Sequence, residues 1–179
     1  MKKLIFVEIL FACFFLGACA SHNISEANLK LVAINKYKAI ANLSFRSDVD
    51  FFSALDKKSG LSLGFPSVQC ALTNDLDFTP GHEMPFSTSG SLERNKVQSG
   101  EGYIYHSNMW FVLSEKEKEK KIKTGLINGV EYDIALKKMI LDRVSIPCRV
   151  VMTIVYADPY FSKILYVPSE KFYNAYFDR

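Results

Sequence analysis

The first eighteen residues constrain this chain most, because they decide how much of it has to fold. Met1-Lys2-Lys3 is a short positive start, and Leu4 to Leu16 is an apolar stretch of thirteen residues broken only by Glu8. A bilayer-spanning helix needs roughly 20 apolar residues, so this stretch is too short to cross and fits the apolar region of an export signal. Residues 1–18 are therefore read as a signal peptide, residues 19–25 as a tether and residues 26–179 as a single globular domain.

Leu16-Gly17-Ala18-Cys19 closes that segment with small residues ahead of a cysteine. In this it resembles the bacterial lipoprotein family, whose lipobox is Leu, a small residue, Ala or Gly, then Cys. The resemblance implies diacylglycerol on the Cys19 sulfur, cleavage before Cys19 and acylation of its new amine. Glu8 departs from the usual uninterrupted apolar region. Ala20 and Ser21 stand where an aspartate retains lipoproteins at the inner membrane, so the family's sorting rule implies an outer-membrane anchor facing the periplasm. Each buried CH₂ contributes about 0.8 kcal/mol, so a cysteine carrying several acyl chains (palmitate or similar) stays anchored. No later stretch reaches the roughly 18 uninterrupted apolar residues that a second span would need.

This reading also sorts the four cysteines. Cys13 leaves with the signal, Cys19 takes the lipid, and Cys70 and Cys148 remain as an even pair in an oxidising compartment. A disulfide between them closes a long loop, which on chain-entropy grounds stabilises by up to about 4–5 kcal/mol. Neither cysteine has a CxxC neighbour or a nearby histidine, so no metal site is expected. No cofactor motif is present either.

Without Lys2, Lys3 and Glu8, the 22 basic and 19 acidic residues become 20 and 18. So nearly balanced a charge argues against nucleic acid as a partner, which would call for a concentrated basic face. Plentiful Phe and Tyr indicate a folded, β-rich core.

Along the chain, Leu29, Val32, Ala33, Tyr37 and Ile40 fall at spacings of three and four, which predicts a helix from Glu26 with Ser25 as its cap. A second, shorter helix is expected from Ser47-Asp48-Val49-Asp50 to Lys57 and Lys58, stopped by Gly60. Ser67 to Leu72 reads as a strand carrying Cys70, and Asn74 to Gly102 as loop, given Pro80-Gly81, Pro85, Gly90 and Gly100. Gly102 to Leu113 is the clearest strand: Tyr103, Tyr105, Met109, Phe111 and Leu113 share one face, and Ile104, His106, Trp110 and Val112 the other.

Ser114 and Glu117 have capping-box spacing at the head of a charged run to Lys123, with Glu117–Lys121 and Glu119–Lys123 as helical pairs. After the Asn128-Gly129 turn, Tyr132, Leu136, Met139, Ile140 and Val144 predict an amphipathic helix ended by Pro147. Cys148 to Tyr156 reads as a strand covered on both faces, with Phe161 to Val167 as its hairpin partner across Ala157-Asp158-Pro159-Tyr160. Ser169 to Phe177 fits a helix or an edge strand. The expected class is α+β, with a mainly antiparallel sheet and a few packed helices.

No residue set amounts to a catalytic signature, and the chain is read as not an enzyme. His82-Glu83 lacks the second histidine of HExxH, position 86 being Phe86. Ser89 in Ser87-Thr88-Ser89-Gly90 lacks the leading glycine of the GxSxG elbow. Asp75 and Asp77 lie in turn-like sequence where Asx-turn roles account for them, and His106 reads as a packed core imidazole. Function by surface is the better reading, since aromatic side chains dominate interface hot spots and Tyr103, Tyr105, Trp110, Tyr160 and Tyr166 sit on candidate strands.

A tethered domain of this size, with a disulfide, a charged prominence and the Ile146-Pro147-Cys148 to Pro168-Ser169 region, resembles the immunity lipoproteins that neutralise antibacterial lipase effectors of type VI secretion. The resemblance implies a protein partner. It contains no specific motif, so it carries over no functional residues. A structural or assembly subunit of an envelope or secretion complex is the alternative, and a hydrolase with an unfamiliar site comes third.

Overall fold

From Gly102 to Leu113 aromatic and apolar residues dominate, and Tyr103, Tyr105, Met109 and Phe111 fall at every second place or a multiple of it, so an extended strand turns them to one face. That strand lies in the middle of the fold. The computed structural model describes residues 24–38, 40–53, 64–99, 102–123, 129–154 and 158–178. Eight strands form one antiparallel sheet: β1 (Leu29–Tyr37), β2 (Ile40–Ser47), β3 (Ser67–Ala71), β4 (Phe86–Ser99), β5 (Gly102–Leu113), β6 (Ser145–Met152), β7 (Tyr160–Phe161) and β8 (Leu165–Pro168). Their order is β1-β2-β5-β4-β3-β6-β7, with β8 also on β6. Three helices accompany them among the described residues: α1 (Glu115–Lys123), α2 (Gly129–Leu141) and α3 (Ser169–Phe177).

One face of the sheet carries the core. Leu43 and Phe45 of β2, Tyr105 and Met109 of β5, Val68 of β3 and Ile146 and Val150 of β6 are buried there. Leu136 and Ile140 of α2 and Phe172 of α3 join the same cluster. Phe111 packs on Tyr176 with tilted rings whose centroids lie 4.2 Å apart, and the Tyr176 hydroxyl donates to Met109 O at 2.8 Å. Burial pushes that phenol well above the usual tyrosine range. Fully burying a side chain of this kind contributes about 1.5–3 kcal/mol, so a handful of such contacts decides whether α3 docks.

The sheet curls until its two ends approach. Lys163 N donates to Ala27 O at 3.0 Å, just ahead of β1, and Lys163 Nζ reaches Asn28 Oδ1 at 2.9 Å. β7 and β8 are one edge broken by Ser162, whose Oγ accepts from Val150 N at 2.9 Å. The disulfide lies directly across strands: Cys70 is in register with Cys148, with Cα atoms 4.0 Å apart.

Several expectations hold. β3 and β5 stand where they are read; β6 overlaps the strand read from Cys148 to Tyr156 but runs from Ser145 to Met152, and its partner over 161–167 is split into β7 and β8. Ser114 Oγ accepts from Glu117 N at 3.3 Å, so the cap of α1 is as read. The ion pairs of that helix among the described residues run at spacing three, Glu115 with Lys118 and Glu117 with Lys120. The expected partners Lys121 and Lys123 fall among side chains outside the described ones.

Four expectations are corrected. The helix from Glu26 to Ile40 is a β-hairpin, β1 and β2, joined after Tyr37 by a turn in which Lys38 has φ 56°. The spacing of three and four joins Leu29 to Val32, which lies at the bulge between Leu31 and Ala33, and to Tyr37, both exposed, whereas the inward positions are Leu29, Leu31 and Ile34. The stretch after Pro85 is the long strand β4, not loop. From Ser87 to Ser91 its outward residues are serines, and β3 and β5 pair with it on both sides. At Gly90 an added Cβ would stand 2.1 Å from Asn108 O, so only glycine permits the close approach of β5. The amphipathic helix ends at Leu141, Val144 is fully solvated, and Pro147 sits inside β6. Last, Ile24 already packs against the core and Ser25 O accepts from the Tyr160 hydroxyl, so the tether ends earlier than residue 25.

The lipobox, Cys13, Cys19, Lys57, Lys58, Gly60, Asn128 and Tyr156 lie outside the described residues. Among the described residues, no helix is long and apolar enough to cross a membrane.

Candidate partner-binding surface

The other face of the sheet is mostly bare. Antiparallel sheets tolerate this when that face is polar, and the outward row here is largely Ser, Asn and Gln. Asn42 Nδ2 donates to Asn108 Oδ1 at 2.9 Å, and Ser44 Oγ lies 2.7 Å from His106 Nδ1. Against this polar background Trp110 is 56% exposed and Val112 is 42% exposed. Their partners on β4 are Ser89 and Ser87, too small to cover them. An exposed tryptophan flanked by serines in a central strand is the informative exception, because it gains nothing for the core.

Beside Val112 the loop of residues 72–85 rises over the sheet and leaves a cleft of about 320 Å³. Gln69, Ser87, Ser89 and Val112 line it from the strands, His82, Glu83 and Met84 from the loop, and Ser114, Glu115 and Lys118 from the start of α1. The loop is a fixed wall. Phe78 and Met84 pack on Ala71, Val151 and Phe161 beneath it. Asp75 Oδ1 accepts from Asp77 N at 3.1 Å and Asp77 Oδ1 from Thr79 N at 2.9 Å, the Asx turns that the sequence suggests. Glu83 Oε2 accepts from Glu115 N at 3.2 Å and ties the loop to the positive end of α1.

His82 clasps the loop further. Its Nε2 lies 2.8 Å from Asp75 Oδ2 and its Nδ1 3.6 Å from Asp77 Oδ2. The hydrogen bond to Asp75, aided by both carboxylate charges, raises the histidine pKa against some desolvation. The same bond lowers the pKa of Asp75, and bonds from Thr79 lower that of Asp77. A raised histidine pKa means that the clasp is complete below the ordinary value of 6.5 and is lost as pH climbs through the raised one.

The five aromatic candidates separate cleanly. Tyr105 and Tyr160 are fully buried and serve the core. The Tyr105 hydroxyl accepts from Phe51 N at 2.9 Å and donates to Asp50 Oδ1 at 3.1 Å. The Tyr160 hydroxyl accepts from Ala27 N at 2.8 Å, and burial pushes its pKa up to about 12. Tyr103 is half-buried with the Arg94 guanidinium 5.3 Å from its ring centre. Trp110 and Tyr166 are the exposed pair, Tyr166 at 60%.

Among the described residues, His82 and His106 lie in different settings. His106 is not in the core as expected but half-buried on the outer face, between Ser44 and the in-register Glu93. Ser44 is 5% exposed within β2, where strands on both sides occupy its backbone, so no pair of free N–H groups stands ready for an oxyanion. His82 shares the cleft with Ser87 and Ser89, but its ring nitrogens face Asp75 and Asp77. Among the described residues, no group of three or more His, Cys, Asp or Glu could hold a metal ion.

No known protein family matches the chain, and neither do curated protein sequences or solved structures. The arrangement of this surface therefore carries the functional argument.

Proposed function

We propose that this chain is a membrane-tethered, periplasmic, protein-binding lipoprotein, built as a single α+β domain and held by lipid on Cys19. Its most concrete form is an immunity or inhibitor protein that occludes an antibacterial effector, of which a type VI lipase is one kind. One observation carries the reading: Trp110 stands exposed among serines on the bare face of a disulfide-stapled sheet, beside a cleft walled by a clasped loop. Interface hot spots are typically large, rigid aromatics set in a ring of small or polar contacts. Occlusion requires a surface that does not deform on contact, and tethering raises its local concentration at the membrane.

The test is competition between sibling cells. A strain lacking the gene for this chain is mixed with its parent, which still delivers its effectors. The strain is expected to be outcompeted and rescued by restoring this gene alone. Equal survival without the gene would contradict the immunity reading and favour a structural or assembly subunit. Cys19→Ala is expected to abolish lipid labelling and membrane retention, and normal labelling in that variant would remove the anchor from the account.

A further inference from the structure

We infer that the outward edge of β1, together with α3, forms a second docking groove, which takes a short, extended, acidic segment of a protein partner as an added strand. β1 is the first strand in the sheet order, and among the described residues no strand pairs with its outward side. Tyr37 and Ile40 close the turn to β2 as a pair. Alternation of bonded and unbonded pairs from there leaves the amides of Ile34 and Lys36 pointing away from β2. The register runs without a break from Ala33 to Tyr37, below the bulge. A guest strand can therefore pair over about four to six residues, a length typical of strand addition to a sheet edge.

An ordinary sheet edge has no second wall, but this one does. Lys171, Asn174 and Ala175, one stripe of α3 at helical spacing, stand opposite residues 32–36 across a groove of about 420 Å³. The stripe gives a guest strand a side to pack against, and Asn174 adds a polar group that can both donate and accept.

Charge selects the occupant. Lys36 and Lys171 line the groove, and Lys30 and Lys38 lie just beyond it on the same hairpin. Edge lysines ordinarily block pairing with another copy, and here a second β1 would bring like charges together across the new ladder. The same lysines attract a glutamate- or aspartate-bearing strand. Glu170 is the acidic neighbour on α3, and the Asp178 main-chain carbonyl accepts from Lys36 Nζ. The two charged residues that line the groove are both lysines. This groove lies apart from the Trp110 face, so the two surfaces can be tested separately.

The experiment uses the whole, isotopically labelled chain and a capped eight-residue peptide alternating glutamate and valine, with a lysine–valine peptide as control. The acidic peptide is expected to bind with a dissociation constant on the order of tens of micromolar, as small interfaces give. It should protect the Ile34 and Lys36 amides from exchange and weaken several-fold in about 0.5 M salt. Lys171→Glu, an exposed helix position, should weaken binding about tenfold or more. Lys36→Pro, which removes one outward N–H, should abolish it while the signals of β5 stay unchanged. The inference is overturned by equal binding of the lysine–valine peptide, by binding that leaves those amides unprotected, or by full binding to Lys36→Pro. It is also overturned if the acidic peptide does not bind, or if the chain instead pairs with itself through β1.

Discussion

The two ends of this sheet are built to different specifications. At the β3–β6 end each strand has neighbours on both sides, Cys70 and Cys148 are bonded across the ladder, and apolar residues cover both faces. At the β1 end there is one neighbour, a bulge, a left-handed lysine and solvated side chains. Stability is accordingly uneven along the sheet. The stapled end is expected to open only with global unfolding, and β1 by local excursions. Trp110 lies between them, on the strand that joins the rigid half to the open one.

Removing the staple should have the largest effect. Cys70→Ala with Cys148→Ala is expected to lower unfolding stability by about 2–5 kcal/mol and to bring amide protection in β6 down towards that of β1. Unchanged midpoint and protection would mean that the ladder and the packing alone make this end rigid. Next comes Gly90→Ala, for which an added Cβ meets the Asn108 backbone oxygen at 2.1 Å as well as Ser107 Oγ at 2.5 Å. A loss of about 1–3 kcal/mol by denaturant titration is expected, as overpacking gives. A neutral result would mean that β4 and β5 can separate locally, which contradicts the rigidity assigned to this half.

Subtler effects should follow at the clasp and at the hairpin. His82 should titrate above the ordinary histidine value, by proton-detected ring shifts, and Asp75→Asn should return it towards 6.5. Because protonated His82 holds the loop, protection of the amides of residues 72–85, taken relative to their intrinsic exchange rate, should fall as pH passes the raised value and not below it. A pH-independent loop would show that Phe78, Met84 and the Asx turns suffice. The smallest change expected is a gain: Lys38→Gly relieves a left-handed backbone and should stabilise by up to about 1 kcal/mol, after the extra chain entropy of glycine.

Legibility in the sequence followed the same division. β5 and β6 were readable because alternation and a continuous valine-rich run leave few alternatives. The cysteine pair was readable because export and lipidation account for the other two. Ser114 with Glu117, and Asp75 with Asp77, are local chemistry that needs no tertiary context. The β1–β2 hairpin was not readable because a spacing of three and four happens to join the inward Leu29 to Val32 and Tyr37, which the strand leaves exposed. β4 was hidden because a central strand with a solvated face needs little apolar sequence; its order comes from neighbours distant in the chain. For the surface, composition nominated five aromatics, and only topology could tell Trp110 and Tyr166 from Tyr105 and Tyr160.

On the proposed function, the covered face holds the molecule together and the bare face does its work. The most direct test is Trp110→Ala, carried through urea unfolding and the sibling competition together. The expected result is stability unchanged within about 0.5 kcal/mol, normal levels in the envelope and loss of rescue. Full rescue by this variant, or a loss of stability large enough to account for failed rescue, would contradict it.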